Sequence, residues 1–169
     1  MSRLDSAIRR LKAQRTCLDW ACSQIKDSNG LVLELGLGNG RTYDHLRAQL
    51  PGRPIHVFDR ALACHPDSEP EPKHFNCGEL SDTLPLFLKR QKTRVDLAHL
   101  DIGAGTAAQT RANLNGVARS LCNAMAPDGL VLSDQPLLEI QTAATFTIMS
   151  LPDGVLTGRY FIYKASGVR

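Results

Sequence analysis

The chain has 169 residues, with 20 Lys and Arg against 17 Asp and Glu and a formal net charge of +3. A chain of this length buries enough apolar surface to fold without a metal or disulfide, and so small a charge does not by itself indicate a nucleic-acid partner. The five cysteines are odd in number and show no C-x-x-C spacing, which argues against a disulfide framework or a zinc ribbon. Because the opening residues MSRLDSAIRRLKAQ are charged throughout and no long apolar run follows, we expect a cytoplasmic protein with no membrane span.

The first predicted element is a helix over residues 2–27. Its apolar side chains fall on one face at a period near 3.6, at Leu4, Ile8, Leu11, Leu18, Cys22 and Ile25. This face covers either the core or a partner subunit, so the pattern leaves a homo-oligomer open. The cations of the same helix are expected to form its solvated face: Arg9, Arg10, Lys12 and Arg15.

Strands and helices alternate from residue 31 onward, which predicts an α/β protein. The predicted strands are 31–35, 55–59, 74–77, 95–101 and 130–134. The predicted helices are 41–50, 80–91 and 106–125, with Pro85 near the start of its helix and a turn at 127–129. Two further β-rich runs, 144–151 and 158–165, indicate a final antiparallel hairpin. This order is typical of a mostly parallel sheet with helices on both faces.

Acidic and glycine residues follow five of the predicted strands. They are Glu34 to Gly40, Asp59, Glu79, Asp101 and Asp134. In a parallel sheet, ligands bind beyond the carboxyl ends of the strands. We therefore expect these five segments to meet in one binding site.

The glycine loop has the pattern E-x-G-x-G-x-G from Glu34 to Gly40. A dinucleotide-binding loop would place its third glycine where Arg41 stands, and Glu34 would repel a diphosphate. The acid instead suits a cationic amino group, as in S-adenosylmethionine, whose carboxylate the following helix start near Thr42 can receive. Asp59 would then hold the ribose hydroxyls. The structural alternative is a tight strand-to-helix turn with Asp59 as a solvated loop acid.

These motifs resemble those of the class I S-adenosylmethionine-dependent methyltransferases, from Leu31 to the C-terminus. ELGLGNGRT is similar to the first family motif, HVFD to the second strand, and CGELSDTLPLFLKRQKTRVDLAHLD to the third motif. The resemblance implies a Rossmann-like sandwich with a mostly parallel seven-stranded sheet, an antiparallel C-terminal hairpin and helices on both faces. The length of the chain predicts one domain over 1–169. In it, 1–28 is expected to be a helical lid or packing segment and 29–169 the catalytic core. The implied cofactor-binding residues are Glu34, Gly36, Gly38, Asn39, Gly40, Thr42, Asp59, Arg60, Gly78, Glu79, Leu80 and Asp101.

A closer similarity is to small-molecule O-methyltransferases of the catechol and caffeoyl type. There, VDLAHLD matches a strand that ends in a metal-binding acid, here Asp101, and DGLVLSDQ matches one that ends in Asp-Asn, here Asp134-Gln135. Together these three side chains would offer oxygen ligands to a hard cation. The chain departs from that group after Asp101, because Ile102-Gly103-Ala104 replaces the second acid and the catalytic lysine. This departure argues against a metal.

The resulting functional hypothesis is in-line methyl transfer from S-adenosylmethionine to a small molecule, with S-adenosylhomocysteine as product. Asp101 is the expected catalytic residue, and its alternative role is a cap on the following helix. His99 is expected to be a hydrogen-bonded interior residue. An RNA-directed methyltransferase and a non-catalytic cofactor-binding module are the alternatives, although aromatic residues make up only 5% of the chain, which leaves little for base stacking and disfavours a nucleic-acid partner.

Overall fold

The computed structural model describes residues 2–103 and 106–166. Seven strands form one sheet: β1 (Leu31–Leu35), β2 (Ile55–Asp59), β3 (Phe75–Cys77), β4 (Val95–Leu100), β5 (Met125–Ser133), β6 (Phe146–Ile148) and β7 (Phe161–Ala165). Their spatial order is β3-β2-β1-β4-β5-β7-β6, so the chain reverses direction across the sheet between β1 and β4. β1 to β5 pair in parallel and β7 pairs antiparallel with both neighbours, which confirms the predicted sheet.

Helices cover both faces of the sheet, because the strands are apolar on both sides. The helices are α1 (Arg3–Ile25), α2 (Arg41–Gln49), α3 (Leu80–Arg90), α4 (Ala107–Cys122) and α5 (Leu138–Thr142). Val32 of β1 packs in the cluster that contains residues of α1 and α2. Its neighbour Leu33 packs in the opposite cluster, with residues of α3, α4 and α5. This alternation follows from the two-residue period of a strand.

Helix α1 packs on the sheet through only its C-terminal half. Leu18, Cys22 and Ile25 are buried, as their predicted face requires. Leu4 and Ile8 on the same face are 69% and 42% exposed, because the first turns of α1 extend past the sheet. Since α1 ends shortly before β1 begins, it runs antiparallel to that strand and its N-terminal half lies near the carboxyl ends of the strands.

Three local features differ from the sequence prediction. Pro85 is the sixth residue of α3 (Leu80–Arg90) and so lies inside the helix rather than near its start. The predicted turn at 127–129 lies within β5, where the pairing with β4 is irregular and Asp128 has a φ of 64°. Helix α5 was not predicted, and the hydroxyl of Tyr163 holds its start by accepting the backbone N–H of Leu137 at 3.0 Å.

All five cysteines are free, and burial raises the pKa of Cys17 to about 12. Burial likewise raises the pKa of Cys22 to about 11, so both thiols stay protonated and unreactive near neutral pH.

Over residues 2–103 and 106–166, no helix has the length and apolar character that crossing a membrane requires.

Candidate active site

A cleft of about 230 Å³ opens at the carboxyl ends of β1, β2, β3 and β4. Eight predicted cofactor-binding residues line it: Gly36, Gly38, Asp59, Arg60, Gly78, Glu79, Leu80 and Asp101. Four of the five segments that were predicted to meet at the strand ends therefore line this cleft, and Asp134 of the fifth segment does not line it. Four further residues line the same cleft without having been predicted: Phe58, Ile102, Gly103 and Asn113.

Gly36 lies where the glycine loop crosses the end of β4. Its φ is 97°, and a Cβ atom added there would lie 2.4 Å from the carbonyl oxygen of Asp101. The N–H of Gly36 donates to the carbonyl of Phe58 at 2.9 Å, and the N–H of Asp101 donates to Leu35 at 3.1 Å. Only glycine fits this crossing, since both the conformation and the space exclude a side chain.

The other two glycines of the loop have different surroundings. Gly38 has a φ of 52°, and an added Cβ would meet no atom within 4 Å, so the backbone faces open space in the cleft. Gly40 has a φ of 84°, starts α2, and packs so closely on Ser68 that an added Cβ would lie 2.6 Å from that side chain. Neither Gly40 nor its neighbours Asn39 and Thr42 line the cleft.

Asp59 holds the glycine loop in place. Its Oδ2 accepts the backbone N–H groups of Leu37 at 2.7 Å and of Gly38 at 3.0 Å. Its Oδ1 accepts the N–H of Arg60 at 2.6 Å. A carboxylate has about four acceptor positions, so Asp59 can hold the loop and still accept a further hydroxyl from a ligand in the cleft.

Glu34 belongs to a buried polar network behind the cleft. One oxygen accepts the hydroxyl of Thr42, and the other lies 2.7 Å from Nδ1 of His99. Nε2 of the same imidazole lies 2.5 Å from the hydroxyl of Tyr160, which confirms that His99 is a hydrogen-bonded interior residue. Glu34, His99 and Tyr160 are buried, and Glu34 does not line the cleft.

The charges of this network set the pKa of His99. Burial acts to lower this pKa. The charge and hydrogen bond of Glu34 raise it, the charges of Asp101 and Asp134 add to this effect, and the net result is a raised pKa. Burial raises the pKa of Tyr160 well above its ordinary value, so its hydroxyl stays neutral. The raised pKa favours the protonated imidazole of His99, which lies between the carboxyl group of Glu34 and the neutral phenol of Tyr160.

Asp101 lies at the end of β4, between the cleft and helix α1. Its Oδ2 accepts from Nε2 of Gln14 at 3.0 Å and lies 3.6 Å from a guanidinium nitrogen of Arg10. The alternative role of Asp101 as a helix cap is wrong, because Thr106 caps α4 and accepts the N–H of Gln109 at 3.3 Å. Gln14 and Arg10 were not predicted as site residues, since only the folding of α1 over the strand ends brings them there.

Asp134 follows β5, beside Asp101 on the next strand. Burial, and then the charge of Asp101, raise the pKa of Asp134 to about 6. Among residues 2–103 and 106–166, its buried Oδ1 has no hydrogen-bond partner. Gln135 donates its amide to the carbonyl of Ile102 at 3.3 Å. The part of the chain that the structure describes contains no group of three or more His, Cys, Asp or Glu side chains that could hold a metal ion.

The comparisons with known proteins agree with this geometry. A parallel sheet with an antiparallel last pair and a glycine loop at the β1 end defines the Rossmann-like methyltransferase fold. A family model described as S-adenosyl-L-methionine methyltransferase matches residues 1–165. The chain belongs to this family, and S-adenosylmethionine is its cofactor. A search of curated proteins found no match.

Solved structures share this fold. An S-adenosyl-L-methionine methyltransferase from Silicibacter pomeroyi is 37% identical, with a TM-score of 0.88 over 98% of this chain and 99% of that one. The O-methyltransferase TomG from Streptomyces achromogenes, solved with S-adenosylmethionine, is 15% identical, with a TM-score of 0.61 over 89% and 79%. An rRNA methylase from Streptococcus thermophilus is 12% identical, with a TM-score of 0.55 over 89% and 94%. At 15% and 12% identity, the similarity to TomG and to the rRNA methylase shows only a shared fold.

Proposed function

We propose that this methyltransferase acts on a small-molecule acceptor. The observation that carries the proposal is the position of Asp101, which lines the cofactor cleft on one side and contacts α1 on the other. An acceptor that enters between the strand ends and α1 would meet this carboxylate directly. The cleft has a volume of about 230 Å³, which is small for a ligand pocket.

Several groups that line the cleft suit the donors and acceptors of the cofactor. Gly38 leaves open backbone on which a ligand can lie, and Asp59 retains acceptor capacity for ribose hydroxyls. Glu79 is exposed at the start of α3, where it would accept from the exocyclic amine of adenine, and Leu80 and Ile102 supply apolar walls. Bound there, S-adenosylmethionine supplies an activated methyl group on its sulfonium.

The remaining predicted residues support the cleft from outside it. Glu34 fixes the hydroxyl of Thr42 at the first turn of α2, and Gly40 lets that helix start against Ser68. Asn39 precedes this start in the loop. In this proposal these four residues set the position of the loop backbone, which is the part that contacts the methionine end of the cofactor.

Asp101 and Asp134 are the groups proposed to act on the acceptor. Methyl transfer is an in-line displacement in which the enzyme aligns the nucleophile and excludes water. Asp101 would orient the nucleophile, with Gln14 holding its carboxylate in place. A carboxyl with a pKa of about 6, such as Asp134, can accept a proton near neutral pH if the acceptor must lose one.

The test is methyl transfer from labelled S-adenosylmethionine to a cell extract divided into a small-molecule fraction and an RNA fraction. We expect label in the small-molecule fraction with the wild-type protein. Asp101→Asn should reduce it by about a hundredfold or more, because the oriented carboxylate charge is lost. Asp27→Asn, which changes an exposed acid at the other end of α1, should leave it unchanged. Label confined to the RNA fraction would contradict the proposed acceptor class and support the RNA-directed alternative.

A further inference from the structure

A second concave site lies on the other flank of α1. It is a groove of about 340 Å³ between α1 and the connection from β6 to β7. Four cations line it, with one acid: Arg9, Lys12, Arg15, Arg159 and Asp153. We call this site the basic groove. Its size is within the usual range of small-molecule sites.

The four cations of the basic groove have no ion-pair partner among residues 2–103 and 106–166. Three of them are exposed on α1, but Arg159 is half-buried. Among the described residues, no nitrogen of Arg159 is buried without a hydrogen-bond partner, so water reaches the guanidinium. Its five N–H donors are therefore available to an anionic group that enters the groove from outside the chain.

The basic groove lies beside the proposed acceptor site. Arg9 and Ala13 line the groove, while the residues that follow each of them, Arg10 and Gln14, contact Asp101. The same two turns of α1 thus form a wall of both sites, which are about one helix diameter apart, or about 10 Å. On the other side, Arg159 precedes Tyr160, which belongs to the buried network below Asp101.

We infer that the basic groove binds the phosphate or diphosphate group of the small-molecule methyl acceptor. This inference rests on the proposed function, because it assigns the second half of the same substrate. Four cations against one acid favour a group with several negative charges over a single carboxylate. For a ligand that bridges the two sites, binding of its phosphate in the groove would supply specificity, and the methyl transfer would take place at the strand ends.

A small phosphorylated molecule fits the groove better than RNA does. Stacking on aromatic side chains supplies much of the affinity for single-stranded nucleic acid. None of the residues that line the groove is aromatic; its apolar part consists of Ala13, Val155 and Leu156. The groove offers charge and a short apolar floor, which suits a phosphate on a small organic body.

Calorimetric titration with inorganic pyrophosphate tests the inference. The variant Arg9→Gln/Arg159→Gln removes two groove charges, and the matched control Lys89→Gln/Lys92→Gln removes two from another surface concavity, next to Arg94 and Asn123. We expect pyrophosphate binding to weaken by about tenfold or more in the groove variant and by less than about twofold in the control. S-adenosylhomocysteine should bind all three proteins equally, which also shows that they are folded.

Three results would overturn the assignment. The first is no pyrophosphate binding by the wild type, and the second is an equal loss in both variants. The third is a single-stranded RNA that displaces pyrophosphate and depends on Arg9 and Arg159, which would identify the groove as a nucleic-acid site. If S-adenosylhomocysteine fails to bind the folded wild type, the proposed function fails instead, whatever pyrophosphate does.

The chemistry of the product links the groove to the acceptor. The labelled product of the extract assay should be retained on an anion-exchange column and should lose that retention after phosphatase treatment. Its formation should fall in Arg9→Gln/Arg159→Gln but not in Lys89→Gln/Lys92→Gln. A labelled product that carries no phosphate would overturn the inference, even if pyrophosphate binds.

Discussion

Nδ1 of His99 lies 2.7 Å from Oε2 of Glu34, and neither side chain has any exposed surface. The two residues are paired neighbours in the register of β1 and β4, the strands at which the chain reverses direction across the sheet. A buried ion pair of this kind costs more to break than an exposed one, since removing one partner leaves the other charge buried. Glu34 also binds Thr42, so the pair connects the centre of the sheet to the glycine loop.

The first prediction concerns pH and the His99–Glu34 pair. The folded-state pKa of His99 is raised above its ordinary value of 6.5. The protonated imidazole therefore stabilises the fold fully below about pH 6.5, and this contribution is lost as pH rises through the folded-state pKa. Urea unfolding of the wild type should give a free energy that falls across this window.

Glu34→Gln should reverse that dependence. Without the carboxylate, burial dominates and lowers the pKa of His99, so the variant should lose stability as pH falls below about 6.5. At about pH 6 we expect a loss of about 3 kcal/mol relative to wild type. Glu71→Gln changes an exposed acid paired with Lys73 and should leave the slope of stability against pH above 6.5 unchanged. A Glu34→Gln variant with the wild-type slope would contradict the charged pair.

A second prediction isolates the phenol of the network. Tyr160→Phe keeps the buried ring but removes the partner that lies 2.5 Å from Nε2 of His99. We expect a loss of about 1–3 kcal/mol, the cost of an unsatisfied buried polar group. The double variant with Glu34→Gln should lose less than the sum of the two single losses, because both act through one imidazole. Strictly additive losses would mean that the two contacts are independent.

The third prediction compares two glycines of the same loop. Gly36→Ala should cost about 3 kcal/mol or more and should abolish S-adenosylhomocysteine binding, since its Cβ would lie 2.4 Å from the carbonyl oxygen of Asp101. Gly38→Ala should cost only about 1–2 kcal/mol, the strain of a left-handed alanine in open space. Denaturant unfolding and calorimetry measure both effects. Equal losses in stability would show that close contact at Gly36 does not limit the loop.

The fourth prediction is that Asp134 limits stability near neutral pH. Its folded-state pKa of about 6 lies above the ordinary value of 3.8, so its contribution is full below about pH 4 and is lost as pH rises through 6. Asp134→Asn should therefore stabilise the fold at about pH 8 by about 1 kcal/mol, after allowance for solvent screening of this half-buried group. The variant should also lose methyl transfer to an acceptor that must give up a proton. Stabilisation with full activity would remove Asp134 from the proposed mechanism.

The sequence predicted the sheet and the cleft because both depend on local patterns. Apolar runs that end in glycine or acid mark the strands, and parallel strands carry their ends to one edge whatever the loops do. Asp59 was predicted to face a ligand, but the hydrogen bonds that it accepts from the N–H groups of Leu37 and Gly38 were not predicted. That role depends on the distance between two loops, which no local pattern records.

The network and the α1 contacts could not be predicted for a similar reason. Glu34, His99 and Tyr160 lie far apart in sequence and meet only through the strand register and the last hairpin. Of the basic residues of α1, Arg9, Lys12 and Arg15 are exposed, as expected of a solvated face, whereas the pairing of Arg10 with Asp101 was not predicted. A helical pattern shows which residues share a face, and only the tertiary fold shows what that face meets.

Calorimetric titration with S-adenosylhomocysteine tests the central claim, that the cofactor binds in the cleft between the glycine loop and Asp59. The wild type should bind in the micromolar range. Asp59→Ala should bind at least about tenfold more weakly, since it loses both the loop contacts and the ribose acceptor. Asp27→Ala, an exposed acid near the opposite edge of the sheet, should bind like the wild type. Equal binding by Asp59→Ala and wild type, or none by a folded wild type, would contradict the site.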